Sequence, residues 1–235
     1  MKQLTKGRSI VYHLYPGVLI TFGFVLLAPL AMRYGFPPQF GMLISILLLA
    51  VPILLAHLIA ARKDEGLSKL RDINGFTARL PFGKLFLYSL GLVVFAFLIW
   101  GLTQPLNKII TDHFLTGLPD WYTVQDFSGY DKEKIKITLL FNLILNGILA
   151  PYLEELYFRG YLLPRMNIWG KGSYIMSALL FSLYHFWQPY IYLTLIISLL
   201  PMTYLVWKTR DLRLAIVTHC LLNLIGALLS FGLVM

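Results

Sequence analysis

Charge is scarce in this sequence. Of its 235 residues, 13% are charged and 58% apolar, against about 25% and 45 to 50% in soluble domains. With a mean hydropathy of +0.71, the apolar side chains outnumber what one aqueous core can hide, which excludes an ordinary soluble enzyme. A single cysteine, Cys220, excludes an intrachain disulfide and a thiolate cluster for a metal. Acidic residues are also few, 11 against 20 Lys and Arg, for a net charge of +9. In so apolar a chain that excess points to the anionic face of a bilayer rather than to nucleic acid. Several hydrolytic and phosphate-binding patterns are missing: H-E-x-x-H, G-x-S-x-G, glycine-rich phosphate loops and paired aspartate motifs. No internal repeat, low-complexity segment or separate soluble domain is visible.

What is present is a series of long apolar runs. A helix needs about 20 apolar residues to cross the hydrocarbon, and seven runs qualify, at 10–32, 41–61, 82–102, 135–163, 172–187, 190–207 and 212–234. The expectation is an all-α, polytopic transmembrane bundle of seven to eight spans, forming one integral membrane domain over residues 1–235. An eighth crossing would need the chain after Gln104 to dip back in. The fifth run is short; the fourth is long enough to require a bend, which Pro151 is placed to give. The first run exceeds the core of a signal peptide and is read as a retained span.

Basic residues divide unevenly between the connections. Fifteen of the 20 fall at the N-terminus, between runs two and three, around the end of run four and between runs six and seven; only Arg33, Lys108, Lys132, Lys134 and Lys136 fall on the other side. The positive-inside bias therefore puts the N-terminus in the cytoplasm and, with seven spans, the C-terminus outside. A multi-pass protein of a prokaryotic cell membrane is the expected setting. Residues 66–76 fit either a short helix lying on the cytoplasmic surface or a solvated loop. The outer connection, 104–134, carries Asp112, Asp120, Asp126, Asp131 and Glu133 among aromatics and is read as a plain loop.

Ionisable groups inside such runs are costly and therefore informative. Three places stand out. Glu154, Glu155 and Arg159 share run four; Glu155 and Arg159 are spaced to pair on one helix face, whereas Glu154 points about 100° away and lacks that partner. A buried ion network tying helices together is the bland alternative. His185 lies in run five behind Phe181, and His219 and Asn223 share a face of run seven. His57 is read as structural, His13 and His113 as interfacial or loop residues. Depths counted at about 1.5 Å per residue from the basic ends put Glu154 about 16 Å, His185 about 21 Å and His219 about 9 Å in, consistent with one polar cavity opening to the cytoplasm. A carboxylate and an imidazole converging on water can remove its proton, and a second imidazole with an amide can hold the resulting oxyanion. Glu154, His185 and His219 are also a competent zinc ligand set with an open position, and sequence leaves both versions open.

At these residues the chain resembles the intramembrane proteases typified by the CAAX prenyl endopeptidase, a group that includes bacteriocin-processing and self-immunity proteins. The family pattern E-E-x-x-x-R, then F-x-x-x-H, then H-x-x-x-N, is met by Glu154-Glu155 with Arg159, Phe181 with His185, and His219 with Asn223. The resemblance spans 147–226, the motif-bearing core. It implies that Glu154 and His185 activate water, that His219 and Asn223 stabilise the oxyanion, that Glu155 and Arg159 support them, and that Phe181 packs the site. It also implies a membrane-anchored peptide or protein as substrate, prenylated in the CAAX case, and a cytoplasm-facing cavity in the prenyl-processing members. Two other readings use the same residues: a non-hydrolytic immunity or scaffold protein gripping a peptide, and a proton-coupled transporter.

Overall fold

A computed structural model describes residues 1–123 and 127–234; Asp126 lies outside the described residues. The regular elements among them are helical, apart from one isolated antiparallel bridge between Thr77 and Asp211. Seven helices build the bundle: α1 (Lys6–Arg33), α2 (Pro38–Asp64), α3 (Phe82–Phe114), α4 (Lys132–Arg165), α5 (Ser173–Tyr184), α6 (Tyr192–Thr209) and α7 (Leu212–Val234). Apolar residues cover their outer faces too, with Val18, Phe22 and Leu26 of α1 and Phe86, Leu90, Val94 and Leu98 of α3 exposed, as lipid contact requires. The chain is an integral, multi-pass membrane protein.

Among the described residues six helices, not seven, are long and apolar enough to cross a membrane. The run expected as the fifth span is helical only over the 12 residues of α5, which rise about 18 Å, short of the hydrocarbon's ~30 Å. The helix stops because His185 leaves the helical region (φ −79°, ψ 54°). Its ring Nδ1 then donates to Phe181 O at 2.8 Å, satisfying a carbonyl that the ended helix would leave open. Residues 185–188 carry the chain on without a helix to a short 3₁₀ turn, Pro189–Ile191, before α6. No eighth crossing forms from the stretch after Gln104, which continues α3 to Phe114.

Prolines shape the two interrupted helices in one way. α4 contains two π turns, Leu145–Leu149 and Leu156–Leu162, and α2 contains one, Ile46–Ala50. A proline stands two residues after each: Pro151, Pro164 and Pro52. Proline lacks an N–H and crowds the carbonyl four residues back; widening the preceding turn relieves the crowding, and Ala150 N–H bonds Leu145 O, five residues back. The bend expected at Pro151 is therefore realised as a wider turn just before it.

The bundle has two distinct ends. At the basic end Leu4 N–H bonds Arg165 O (2.8 Å), Gly75 N–H bonds Gly160 O (2.9 Å) and Ala78 N–H bonds Arg210 O (3.0 Å). The fully buried Arg165 forks onto Glu65, Nε to Oε1 at 2.7 Å and Nη2 to Oε2 at 3.0 Å, and its Nη1 donates to Ile73 O and Tyr161 O. Within segment 66–76, Leu70–Ile73 form a short 3₁₀ helix, and Ile73 and Phe76 turn in to be buried in the core. At the opposite end Lys134 Nζ bonds Tyr34 O, and Phe40 packs between Phe36 and Phe141. His13, read as interfacial, is fully buried, with Nδ1 donating to Ser9 O at 2.7 Å; its partners lie on its own helix and on α5, where Ser177 Oγ is 3.4 Å from Nε2.

The Arg165 fork holds the Glu65 carboxyl below the usual carboxylate range, against the opposing effect of burial. A depressed carboxyl stabilises the fold above its unfolded pKa of about 4, and that stabilisation is lost as pH falls through the lower folded value. Glu65→Gln leaves the Arg165 charge buried and unpaired, and is expected to cost about 3 kcal/mol, read as a lower midpoint of thermal unfolding in detergent. The wild type should lose stability below about pH 4 more steeply than the variant.

Candidate active site

Glu154 and Glu155 sit in the short α-helical stretch Ala150–Glu155 between the two π turns of α4. Adjacent residues diverge by about 100° on a helix, and the two carboxylates accordingly have different surroundings. Glu155 is fully buried. Its Oε1 accepts from Arg159 Nη1 at 3.0 Å and from His219 Nδ1 at 2.8 Å. Arg159 is fully buried too; Nη2 reaches Thr203 Oγ1 at 3.4 Å and the guanidinium lies 3.9 Å from the Phe181 ring centre. Glu154 faces the cavity. Tyr184 Oη donates to its Oε1 at 3.1 Å, and its Oε2 is 4.0 Å from His219 Nε2.

The two histidines are fixed in tautomer by what their Nδ1 atoms touch. His185 Nδ1 faces a carbonyl, so it carries the proton and Nε2 presents a lone pair. His219 Nδ1 faces a carboxylate and also donates. Its Nε2 donates as well only when the ring carries both protons.

Asn223 is held by backbone accounting. Ala150 N–H is spent on Leu145 O, Pro151 has no N–H, and Asn146 O accepts instead from Asn223 Nδ2 at 2.8 Å. The second hydrogen on that nitrogen remains available. Phe181 packs edge-on or tilted against Phe158, His185 and His219, with ring centres 4.8, 4.9 and 6.1 Å away. The structure thus brings all seven sequence-selected residues together: Glu155, Arg159 and His219 form a buried ion network, and Glu154 lies beside it on the cavity wall.

Tyr184, Thr203 and the Asn146 carbonyl are partners that sequence reasoning missed. Tyr184 adjoins His185, but adjacency on a helix signals divergence, and only the close pass of α1 brings its hydroxyl onto Glu154. His57, read as structural, shares a hydrogen bond between its Nδ1 and Tyr15 Oη at 2.9 Å, away from the cavity.

The cavity measures about 730 Å³, within the range of sites that enclose small ligands. Glu154, Phe181, Tyr184, His185, His219 and Asn223 line its inner part. From there the lining runs to Asn146, Asn142 and Thr138 on α4, to Gly226 and Ser230 on α7, and to Gln104, Lys108 and Asp112 on α3; the last three are exposed. No lining residue comes from the basic end. The exposed polar residues of the lining therefore lie at the end of the bundle opposite the basic one. Counting depth along each helix from its basic end measured distance, whereas access is decided by packing, and the basic end is closed by the Arg165 and backbone contacts. The 104–134 connection is likewise more than a plain loop: Trp121 and Tyr122 pack on Phe24, and Tyr122 Oη donates to Phe186 O at 2.8 Å.

Among the described residues, no group of three or more His, Cys, Asp and Glu side chains is arranged to hold a metal ion. With both Nδ1 atoms and Glu154 Oε1 taken up by neighbours, the atoms of the Glu154, His185 and His219 set left toward the cavity are Oε2 and the two Nε2 nitrogens.

Residues 136–225 match the family described as type II CAAX prenyl endopeptidase Rce1-like. All seven motif positions lie inside the match, so the family recognised in the sequence is the one matched, and it is a family of peptidases. No curated protein and no solved structure matches the chain.

Gly17 of α1 is what lets Tyr184 and His185 sit where they do: a Cβ there would stand 2.0 Å from Tyr184 O and 2.9 Å from its ring. Gly17→Ala must push the end of α5 away from Glu154. It is expected to cost about 1 to 3 kcal/mol in detergent thermal unfolding and to lower activity more than a lipid-facing control, Val18→Ala.

Proposed function

We propose that the protein is an intramembrane endopeptidase that hydrolyses a peptide bond in a membrane-anchored protein or peptide. The observation that carries this reading is the single cavity in which a carboxylate, an imidazole with a free lone pair, and two hydrogen-bond donors converge at membrane depth. Glu154 Oε2 and His219 Nε2 are 4.0 Å apart, too far to bond each other and close enough for one oxygen atom to bond both.

Water held by Glu154 and His185 gives up a proton as its oxygen attacks the scissile carbonyl carbon. The carbonyl oxygen becomes an oxyanion and accepts from His219 Nε2–H and from the free Asn223 Nδ2–H. As the tetrahedral species collapses, the C–N bond breaks, and the proton taken from water passes to the leaving nitrogen. Tyr184, by occupying Oε1, leaves Oε2 as the oxygen that faces the water. Glu155 holds His219 through Nδ1 and Arg159 holds Glu155, and both lie fully buried behind the cavity wall as positioning residues. Exclusion of bulk water strengthens each of these interactions.

Glu154→Gln removes the base and conserves the side chain's size. Turnover should fall by about 10² to 10⁴-fold with the protein still folded. The check is a comparison of peptide termini in membranes of cells carrying wild type or Glu154→Gln at matched abundance. Termini found only with wild type support hydrolysis. Equal turnover by the purified variant sinks the reading, and a phenotype that survives the substitution without new termini favours peptide binding instead.

A further inference from the structure

The route into the cavity bears on what can be cleaved. We infer that the substrate is an extended peptide segment delivered to Glu154 from the membrane face opposite the basic end, which the positive-inside bias makes the extracytoplasmic face. This deepens the endopeptidase reading and rests on it. A cytoplasmic C-terminal tail, the substrate that the prenyl-processing resemblance implies, would have to enter through the end that is closed.

Three observations carry the inference. First, the exposed residues lining the cavity, Gln104, Lys108 and Asp112, stand at the end that holds five of the 20 basic residues, and the other fifteen stand at the sealed end. Charge bias orients short connections, so the mouth and the positive charge face opposite compartments. Second, the way in is long. Along α4 the rise from Thr138, near the mouth, to Glu154 is about 24 Å at about 1.5 Å per residue, and an extended chain covers that distance in about seven residues at ~3.3 Å each. A folded domain does not fit such a passage; an unfolded stretch of peptide does. Third, the wall carries polar side chains that are at least partly open: Gln104, Asn142, Asn146 and Gln188 line it. Side-chain amides, each with a donor and an acceptor, suit a main chain with both N–H and C=O groups to satisfy at membrane depth. Aromatic and apolar side chains such as Trp100, Trp121 and Leu199 line the passage too, so side chains of an apolar peptide are accommodated.

The test separates access from chemistry. In a Cys220→Ser background of the full chain, single cysteines are placed at the mouth (Asp112→Cys, with Lys108→Cys as a second choice should the first fail to accumulate), on the cavity wall (Asn142→Cys) and at the basic end (Arg71→Cys). Intact and permeabilised cells are treated with a membrane-impermeant maleimide. Labelling of the mouth and wall cysteines should be at least tenfold faster than that of Arg71→Cys in intact cells, with the difference lost on permeabilisation. The pattern should be unchanged when Glu154→Gln is added, since access does not depend on hydrolysis. The reverse pattern overturns the inferred entry side and leaves the endopeptidase reading intact. In the same cells, new termini should fall in segments of membrane proteins lying outside the cytoplasm, about seven or more residues from a folded domain. New termini confined to cytoplasmic C-terminal tails overturn the inferred substrate and uphold hydrolysis. An absence of new termini overturns hydrolysis, and the substrate class with it, whatever the labelling shows.

Discussion

A charge at bilayer depth must be answered by another charge, and the pairing of Glu155 with Arg159 is the interaction on which the rest of the site depends. Neither side chain is exposed, and neither would stay ionised alone at that depth. Once paired, Glu155 has an oxygen face to spare for His219, which fixes the imidazole that faces the cavity. Phe181 covers the guanidinium with its ring, so the cation meets π density where a water molecule would otherwise be needed. Glu154, one residue away, diverges from the Arg159 pairing by helix geometry and meets the cavity wall instead.

The backbone obeys the same rule. Where α4 meets Pro151, one carbonyl loses its donor, and a side chain from α7 supplies it. Where α5 ends at His185, the open Phe181 carbonyl takes the imidazole Nδ1. Asn223 and His185 are therefore held by main-chain groups that the fold itself left unpaired, and each presents its other polar face to the cavity. The irregular stretch after His185 is tolerated at depth for the reason that irregular backbone generally is: it borders a cavity rather than lipid. Site and interrupted helices are one arrangement, and a continuous fifth span would consume the carbonyl that orients His185.

Much of this is legible in the sequence because helix spacing is a geometric rule. Glu155 and Arg159 at a separation of four pair as expected, and Glu154 diverges as expected. The apolar runs locate the membrane helices, and Pro151 marks the bend. What escapes is whatever depends on contact between distant segments. Tyr184 reaches Glu154 only because Gly17 lets α1 pass close to α5. His13 is buried by α5, which lies far along the chain, and Ile73 and Phe76 find the core only because Arg165 ties their segment down through Glu65. Span length was the other weak point: hydropathy counts apolar residues and does not register that His185 ends a helix by capping it.

The closure of the basic end follows from the chemistry of its charges. Basic residues need counter-charges where they approach the core, and Glu65 and Asp211 provide them, Glu65 to Arg165 and Asp211 to Arg213. Those ion pairs tie the N-terminal segment, the 66–80 segment and the turn between α6 and α7 across the helix ends, as the bonds from Leu4 to Arg165, Gly75 to Gly160 and Leu80 to Asp211 attest. Glu154 lies nearer this end along α4, yet the tie leaves it facing the longer path. On the proposed endopeptidase reading, water and substrate share one mouth, and a peptide that fills the passage expels the bulk water behind it, leaving the attacking water enclosed with the scissile bond. A deep site with a closed floor thus limits which chains reach it by length and flexibility before any side chain is read.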